Sequence, residues 1–174
     1  MNSTEQDREY MLALTAIFNS NAAKLWIWYN CPELQGGTRE IRKVYFEKFP
    51  VPDFTEHKNT LATLAEQRTE TEKSLRRYTQ RFLHRVSAEN GGKKLNSKLN
   101  DFAELNFSDF LKIAGLKLKL AEKDEWEEYF DTACSRIREE QHRARSLDLQ
   151  IESLIGSLYG FSDEEMNTVQ KLAF

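Results

Sequence analysis

Apolar residues recur along this chain mostly at steps of three and four, the spacing of one face of a helix. Tyr10, Leu14, Ile17 and Phe18 predict a helix over 5–20, stopped by Asn19-Ser20-Asn21. Leu25-Trp26-Ile27-Trp28-Tyr29 is a short aromatic and β-branched run that favours a strand, with a buried helix as the alternative. Cys31 to Thr38 is a loop carrying Pro32 and Gly36-Gly37. Ile41, Tyr45 and Phe49 fit one face of a short helix over 39–48, and Pro50 and Pro52 force an extended exit.

Two long seams follow. Leu61, Leu64, Arg68, Thr71, Leu75, Tyr78, Phe82 and Arg85 mark a helix from Asp53 or Thr55 to about Ala88, with Asp53 and Glu56 as a capping box and Asn90-Gly91-Gly92 as its end. Trp126, Phe130, Ala133, Ile137, Glu140, Ala144, Leu147, Ile151, Leu154 and Leu158 mark a second over 122–159, closed by Gly160. Each would be ~50 Å or longer at helical rise. Between them, residues 95–120 form a connector: one short helix through Leu95, Leu99, Phe102 and Leu105, a second capped by Ser108, and an extended 117–120. Ser162 with Glu165 caps a terminal helix.

The fold class expected is mainly α: a long antiparallel, coiled-coil-like helical hairpin with a small α+β head carrying at most a short strand or two. The expected segments are a head at 1–54, a hairpin at 55–160 with its connector at 90–121, and a capping helix at 161–174. Aligning the near ends of the two seams pairs residues whose numbers sum to about 212. Phe82 then meets Phe130, Leu75 meets Ile137 and Leu61 meets Ile151, with Arg68 and Thr71 near Glu140 and Ala144.

Composition narrows the function classes. No apolar run approaches the ~20 residues of a membrane span, and no signal peptide is legible, so a cytoplasmic location is expected. Cys31 and Cys134 lack metal-ligand spacing and read as free thiols; the sequons at Asn2 and Asn106 carry little weight without secretion. A net charge of −3 argues against an independent grip on nucleic acid, but charge is unevenly placed. Lys73 to Lys98 holds eight Lys/Arg and one Glu, whereas Glu122 to Asp131 holds six acids and one Lys. The hairpin register sets Arg81 and Arg85 beside Asp131 and Glu127, so pairing across the seam is the first reading of that basic run and a phosphate-facing surface the second.

Catalytic chemistry is hard to find. Pro52-Asp53 with Glu56-His57-Lys58 superficially matches a nuclease pattern, but its acids fall on one helix start. His57, His84 and His142 are scattered, and no nucleophile constellation or Gly-rich phosphate loop occurs. No catalytic residue, cofactor site or metal site is therefore expected in this chain. Trp26, Trp28 and Tyr29 are candidate base-stacking groups, with core packing the plainer reading. The polar 35–43 loop differs: its glycines let backbone approach a duplex, and Arg, Lys, Gln and Glu can address base edges.

At these residues the chain resembles the TaqI-like C-terminal specificity (target-recognition) domain of adenine-specific DNA methyltransferases, including type IIG restriction-modification enzymes. Three blocks carry the resemblance: Leu14 to Tyr29, with Ile17-Phe18-Asn19-Ser20; Gly37 to Pro52, ending in Phe49-Pro50-Val51-Pro52; and Ile151 to Glu165, with Leu158-Tyr159-Gly160-Phe161. The resemblance implies a noncatalytic DNA-recognition fragment of a restriction-modification enzyme, beginning partway through the recognition domain. It implies S-adenosylmethionine and adenine-N6 methylation for the parent enzyme, with an endonuclease domain as an added option. By the same resemblance, double-stranded DNA and the parent's methyltransferase domain are the expected partners, and Gln35, Thr38, Arg39, Glu40, Arg42 and Lys43 the candidate DNA-binding residues. The rival reading is a helical-hairpin interaction module that docks a protein or forms a homodimer without touching DNA.

Overall fold

A computed structural model describes residues 4–172, which leaves the Asn2 sequon outside the described residues. The chain is mainly helical: α1 (Glu5–Asn19), α2 (Asn21–Asn30), α3 (Lys43–Phe46), α4 (Lys58–Glu89), α5 (Phe107–Ala114), α6 (Leu120–Tyr159) and α7 (Asp163–Leu172). Short 3₁₀ segments at Thr55–His57 and Ser97–Glu104 join them. The long helices α4 and α6 run antiparallel, and the residues divide into two compact units. Among the described residues the first contains 4–68 and 146–172 and the second 69–145, so the expected head falls in the first unit and the expected hairpin is divided between the two.

In the first unit, Thr4 and Asp7 form a reciprocal capping box on α1: the Asp7 amide donates to Thr4 Oγ1 (3.3 Å), and the Thr4 amide to Asp7 Oδ2 (3.0 Å). Ser20 ends α1 and starts α2. Its backbone is extended, its hydroxyl donates to the Ile17 carbonyl (2.7 Å) and accepts from the Ala23 amide (3.2 Å), and it is buried. Ile17, Ala23, Phe49, Leu61, Ile151 and Ile155 close the core. Asp53 accepts from the Thr55 amide (3.0 Å) and hydroxyl (2.7 Å), a local turn that starts the 3₁₀ segment in place of the expected pairing with Glu56. Its carboxyl is held below the usual range by these bonds, as a turn acceptor would be. Ser162 and Glu165 form the expected box on α7, and Met166 of that helix lies where a Cβ on Gly156 would stand.

The run at 25–29 corrects the strand reading. It belongs to helix α2, and among the described residues there is no strand, only an isolated antiparallel bridge between Glu33 and Arg39. The Ser20 cap and the helix-compatible Asn21-Ala22-Ala23-Lys24 lead-in extend five apolar residues into a ten-residue helix. The α+β head is therefore helical. The helix expected over 39–48 shortens to the single turn of α3, with Arg42 in extended conformation before it.

In the second unit, the connector supplies core. Phe82 of α4 stacks on Phe102 with ring centroids 4.0 Å apart, and lies 5.4 Å from Phe110 and 6.2 Å from Phe130. Val86, Leu99, Cys134 and Ile137 complete the cluster, which Leu75 flanks. Asn106, not Ser108, caps α5, accepting from the Asp109 amide (2.9 Å). Asn90 donates to the Ala114 carbonyl (2.8 Å), and Gly115 takes the left-handed conformation (φ 68°) that closes α5.

Phe82 meets Phe130 as the hairpin register expects, and Leu61 and Ile151 lie in the same core cluster. The polar positions of the register differ. Arg68 pairs with Asp148 (2.8 Å), one turn beyond Ala144. Neither Arg81 nor Arg85 makes an ion pair among the described residues; Arg85 instead lies over the Tyr129 ring, 5.3 Å from its centroid. A guanidinium laid on a ring face gains cation–π attraction while staying hydrated, which competes with an exposed ion pair of small worth.

Both cysteines are free and buried. Burial pushes the Cys134 thiol up to about 11, the nearby Arg138 opposing the shift. The folded chain thus holds this proton more tightly than the unfolded chain. Stability from the neutral thiol is complete below about pH 9 and is lost as pH rises towards 11. Denaturation midpoints from pH 8 to 11 are expected to fall more steeply for the wild type than for Cys134→Ala; parallel curves would refute this.

Candidate nucleic-acid interface

The candidate loop lies wholly in the first unit. Its two legs are tied together by backbone bonds, Leu34 N–H to the Thr38 carbonyl (2.8 Å) and Glu40 N–H to the Pro32 carbonyl (2.9 Å). Gly36 (φ 86°) and Gly37 (φ 79°) make the reversal, in a region side-chain-bearing residues rarely enter. A Cβ at either would meet nothing within 4 Å, so the tip faces open space. Gln35 and Thr38 flank the glycines and are exposed.

The other four candidates separate into two kinds. Arg39 is turned inward: its guanidinium lies 4.1 Å from the Trp28 ring centroid and 3.6 Å from Glu33, its side chain is 18% exposed, and its Nε is buried without an acceptor. Arg42 and Lys43 point outward, 64% and 88% exposed, and pair with Glu40 (2.9 Å) and Glu47 (3.3 Å). The hydrogen bond from Arg42 to Glu40 raises the arginine further above its ordinary value, so it stays a cation at any working pH. Residues 33–47 carry three acids and three bases. Charge is thus balanced over this wider segment, and Arg42 and Lys43 sit in exposed pairs that are weak and exchangeable.

The loop's supports come from distant sequence. Phe49, just past α3, sits edge-on to Trp26 (5.3 Å) and Phe18 (5.4 Å), and Phe46 packs on Phe18 (4.8 Å). Tyr159 donates its hydroxyl to the Pro50 carbonyl (2.8 Å), and burial pushes its phenol up to about 12. Glu152 accepts from the Asn21 amide (2.9 Å), with burial raising its carboxyl. Sequence reasoning missed Glu33, Trp28 and Tyr159 as supports. The available signal was opposite charge at Glu33 and Arg39 across the two glycines.

The helical α2 also re-sorts its aromatics. Successive residues turn by about 100° on a helix, so Trp26 and Trp28 face different ways. Trp26 packs against the core, Trp28 holds Arg39, and Tyr29 stands 71% exposed.

In the second unit, α4 and α6 border an open groove of about 780 Å³, lined by Tyr78, Arg81, His84, Arg85, Tyr129 and Arg136 among others. Elsewhere no chemistry assembles: among the described residues no three His, Cys, Asp or Glu come together to hold a metal, and no helix is long and apolar enough to cross a membrane.

Residues 54–155 match the family described as Domain of unknown function (DUF8810). The chain belongs to that family. The DUF8810 match begins at Phe54, before α4, and ends at Ile155 within α6, so it takes in the groove and leaves out the 33–43 loop. No curated protein and no solved structure matches the chain.

Proposed function

We propose that this chain is a noncatalytic DNA sequence-recognition part of a restriction-modification adenine-N6 DNA methyltransferase, reading base edges with the 35–43 loop. The observation that carries the reading is the convergence of residues 14–29, 37–52 and 151–165 on one core, which braces an open two-glycine turn. These are the blocks that resemble a specificity domain, and they are far apart in sequence. In this reading Gln35 addresses adenine, and Arg42 addresses guanine or phosphate on exchanging its Glu40 partner. Lys43 contacts phosphate, and Arg39, clamped between Trp28 and Glu33, sets the loop's shape. The chain takes no chemical step in methyl transfer, which belongs to other domains of the parent enzyme.

Arg42→Ala/Lys43→Ala is expected to weaken binding to a preferred duplex at least tenfold, measured by fluorescence anisotropy, with a smaller loss, from the Lys43 phosphate contact, for an unrelated duplex. Equal binding by wild type and variant would refute the loop's role. A second reading, a protein-docking or dimerising module, is favoured by the exposed Leu34, Ile41 and Val44 around the same loop. A concentration-dependent dimer that dissociates on Ile41→Ser/Val44→Ser and ignores duplex would support it.

A further inference from the structure

We propose that the groove bordered by α4 and α6 in the second unit is a second nucleic-acid contact, one that holds the phosphodiester backbone without reading sequence. The basic run had two readings, pairing across the helical seam or facing phosphate. The first requires Arg81 with Asp131 and Arg85 with Glu127, and neither pair forms. Arg81, Arg85 and Arg136 all line the groove, are exposed, and make no ion pair among the described residues. Arg81 and Arg85 are four apart on α4, so they stand on one face, one turn from each other. Tyr78 and Tyr129 are half-buried in the groove wall, and the Tyr129 ring already carries the Arg85 guanidinium.

Phosphate fits this arrangement better than an acidic protein segment. Guanidinium forks match phosphate oxygens, and three unpaired forks lose little by exchanging water for them. Just beyond Ala88, Lys93, Lys94 and Lys98 add three cations, also without ion pairs among the described residues. Glu127, Glu128, Asp131 and Glu139 lie along α6 beside Arg136. They repel a polyanion and confine the strand to the α4 side. Because acids match bases in number over the 33–47 segment, a separate cationic surface of this kind is where most salt-dependent affinity would arise. The groove acts whether or not the loop reads bases.

The test compares the full chain, Arg81→Ala/Arg85→Ala/Arg136→Ala, the triple Arg→Lys variant and the loop variant Arg42→Ala/Lys43→Ala. Each is titrated against a duplex of random sequence from low to moderate salt, with melting curves checking the fold. The alanine triple variant is expected to lose at least tenfold in affinity at low salt. Its plot of log affinity against log salt should be shallower by about two to three. The lysine triple variant should keep most of the affinity, and the loop variant, which gives up fewer phosphate contacts, should lose less affinity and less slope than the alanine triple variant. Wild-type affinity and slope in the folded alanine variant would overturn the proposal. So would a wild-type dimer that the alanine substitutions dissociate with no effect on duplex binding, which would make the groove a self-association surface. Loss in the loop variant alone would overturn the groove and spare the loop.

Discussion

Phe82→Ala is expected to destabilise the chain by about 3–5 kcal/mol, the largest effect of any single truncation considered for the second unit. Phe82 is 2% exposed and its ring touches four others: Phe102 at 4.0 Å, Phe110 at 5.4 Å, Tyr129 at 5.5 Å and Phe130 at 6.2 Å. Truncation removes the transfer energy of the ring and leaves a cavity that four rigid neighbours cannot close without leaving their rotamers. Phe82→Leu keeps part of the volume and should cost less than the alanine variant. Urea denaturation followed by circular dichroism measures both. A midpoint for Phe82→Ala equal to wild type would show that this cluster is not the structural centre of its unit.

The second large effect is at Phe49, where about 3 kcal/mol is expected for Phe49→Ala. The residue is 7% exposed and joins the loop to the core through Trp26, Phe18 and Phe46. Its loss should also reach the loop. Pro50 and Pro52 fix the backbone on one side of Phe49, and α3 meets it on the other, so this ring is the main apolar anchor of the 39–52 segment. Amide exchange at Leu34 and Glu40, whose bonds tie the two legs, should quicken in Phe49→Ala more than exchange in α5. Unchanged protection at both amides would mean that the loop is held by Arg39, Trp28 and Glu33 alone.

The long helices were legible because their apolar positions repeat over eight or more turns, long enough for a 3.6 period to exclude a period of two. The contact of Phe82 with Phe130 was legible for a related reason, since a slip of the seam would expose several apolar residues at once. Short elements gave no such redundancy. The five residues from Leu25 to Tyr29 fit a strand when taken alone, and the deciding information lay upstream, in the Ser20 cap and two alanines. At α5 two caps competed, and Asn106 prevailed over Ser108 by reaching the Asp109 amide. Charges were least legible. Arg39 reads as an outward cation in the sequence, and only the position of Trp28 on a helix shows that it turns inward. Arg81 and Arg85 sit where pairing was expected, yet a ring face competes for Arg85 and side-chain reach is not written in the spacing.

The candidate loop was picked out by its glycines and polarity, and the orientation of its charged side chains was not legible in the sequence. Arg42 and Lys43 face outward, Arg39 does not, and each is paired with an acid, Glu40, Glu47 and Glu33. Under the proposed function, that division would leave discrimination to the loop and most of the phosphate affinity to the groove between α4 and α6.

Selection from a pool of duplexes with a randomised central segment tests base reading by the loop most directly. The full chain and Arg42→Ala/Lys43→Ala would be carried through the same rounds at low salt, with both proteins shown to melt alike. A short motif enriched by the wild type and lost or shortened in the variant is the predicted result. A pool that stays random with the wild type, or the same motif recovered by both proteins, would contradict it.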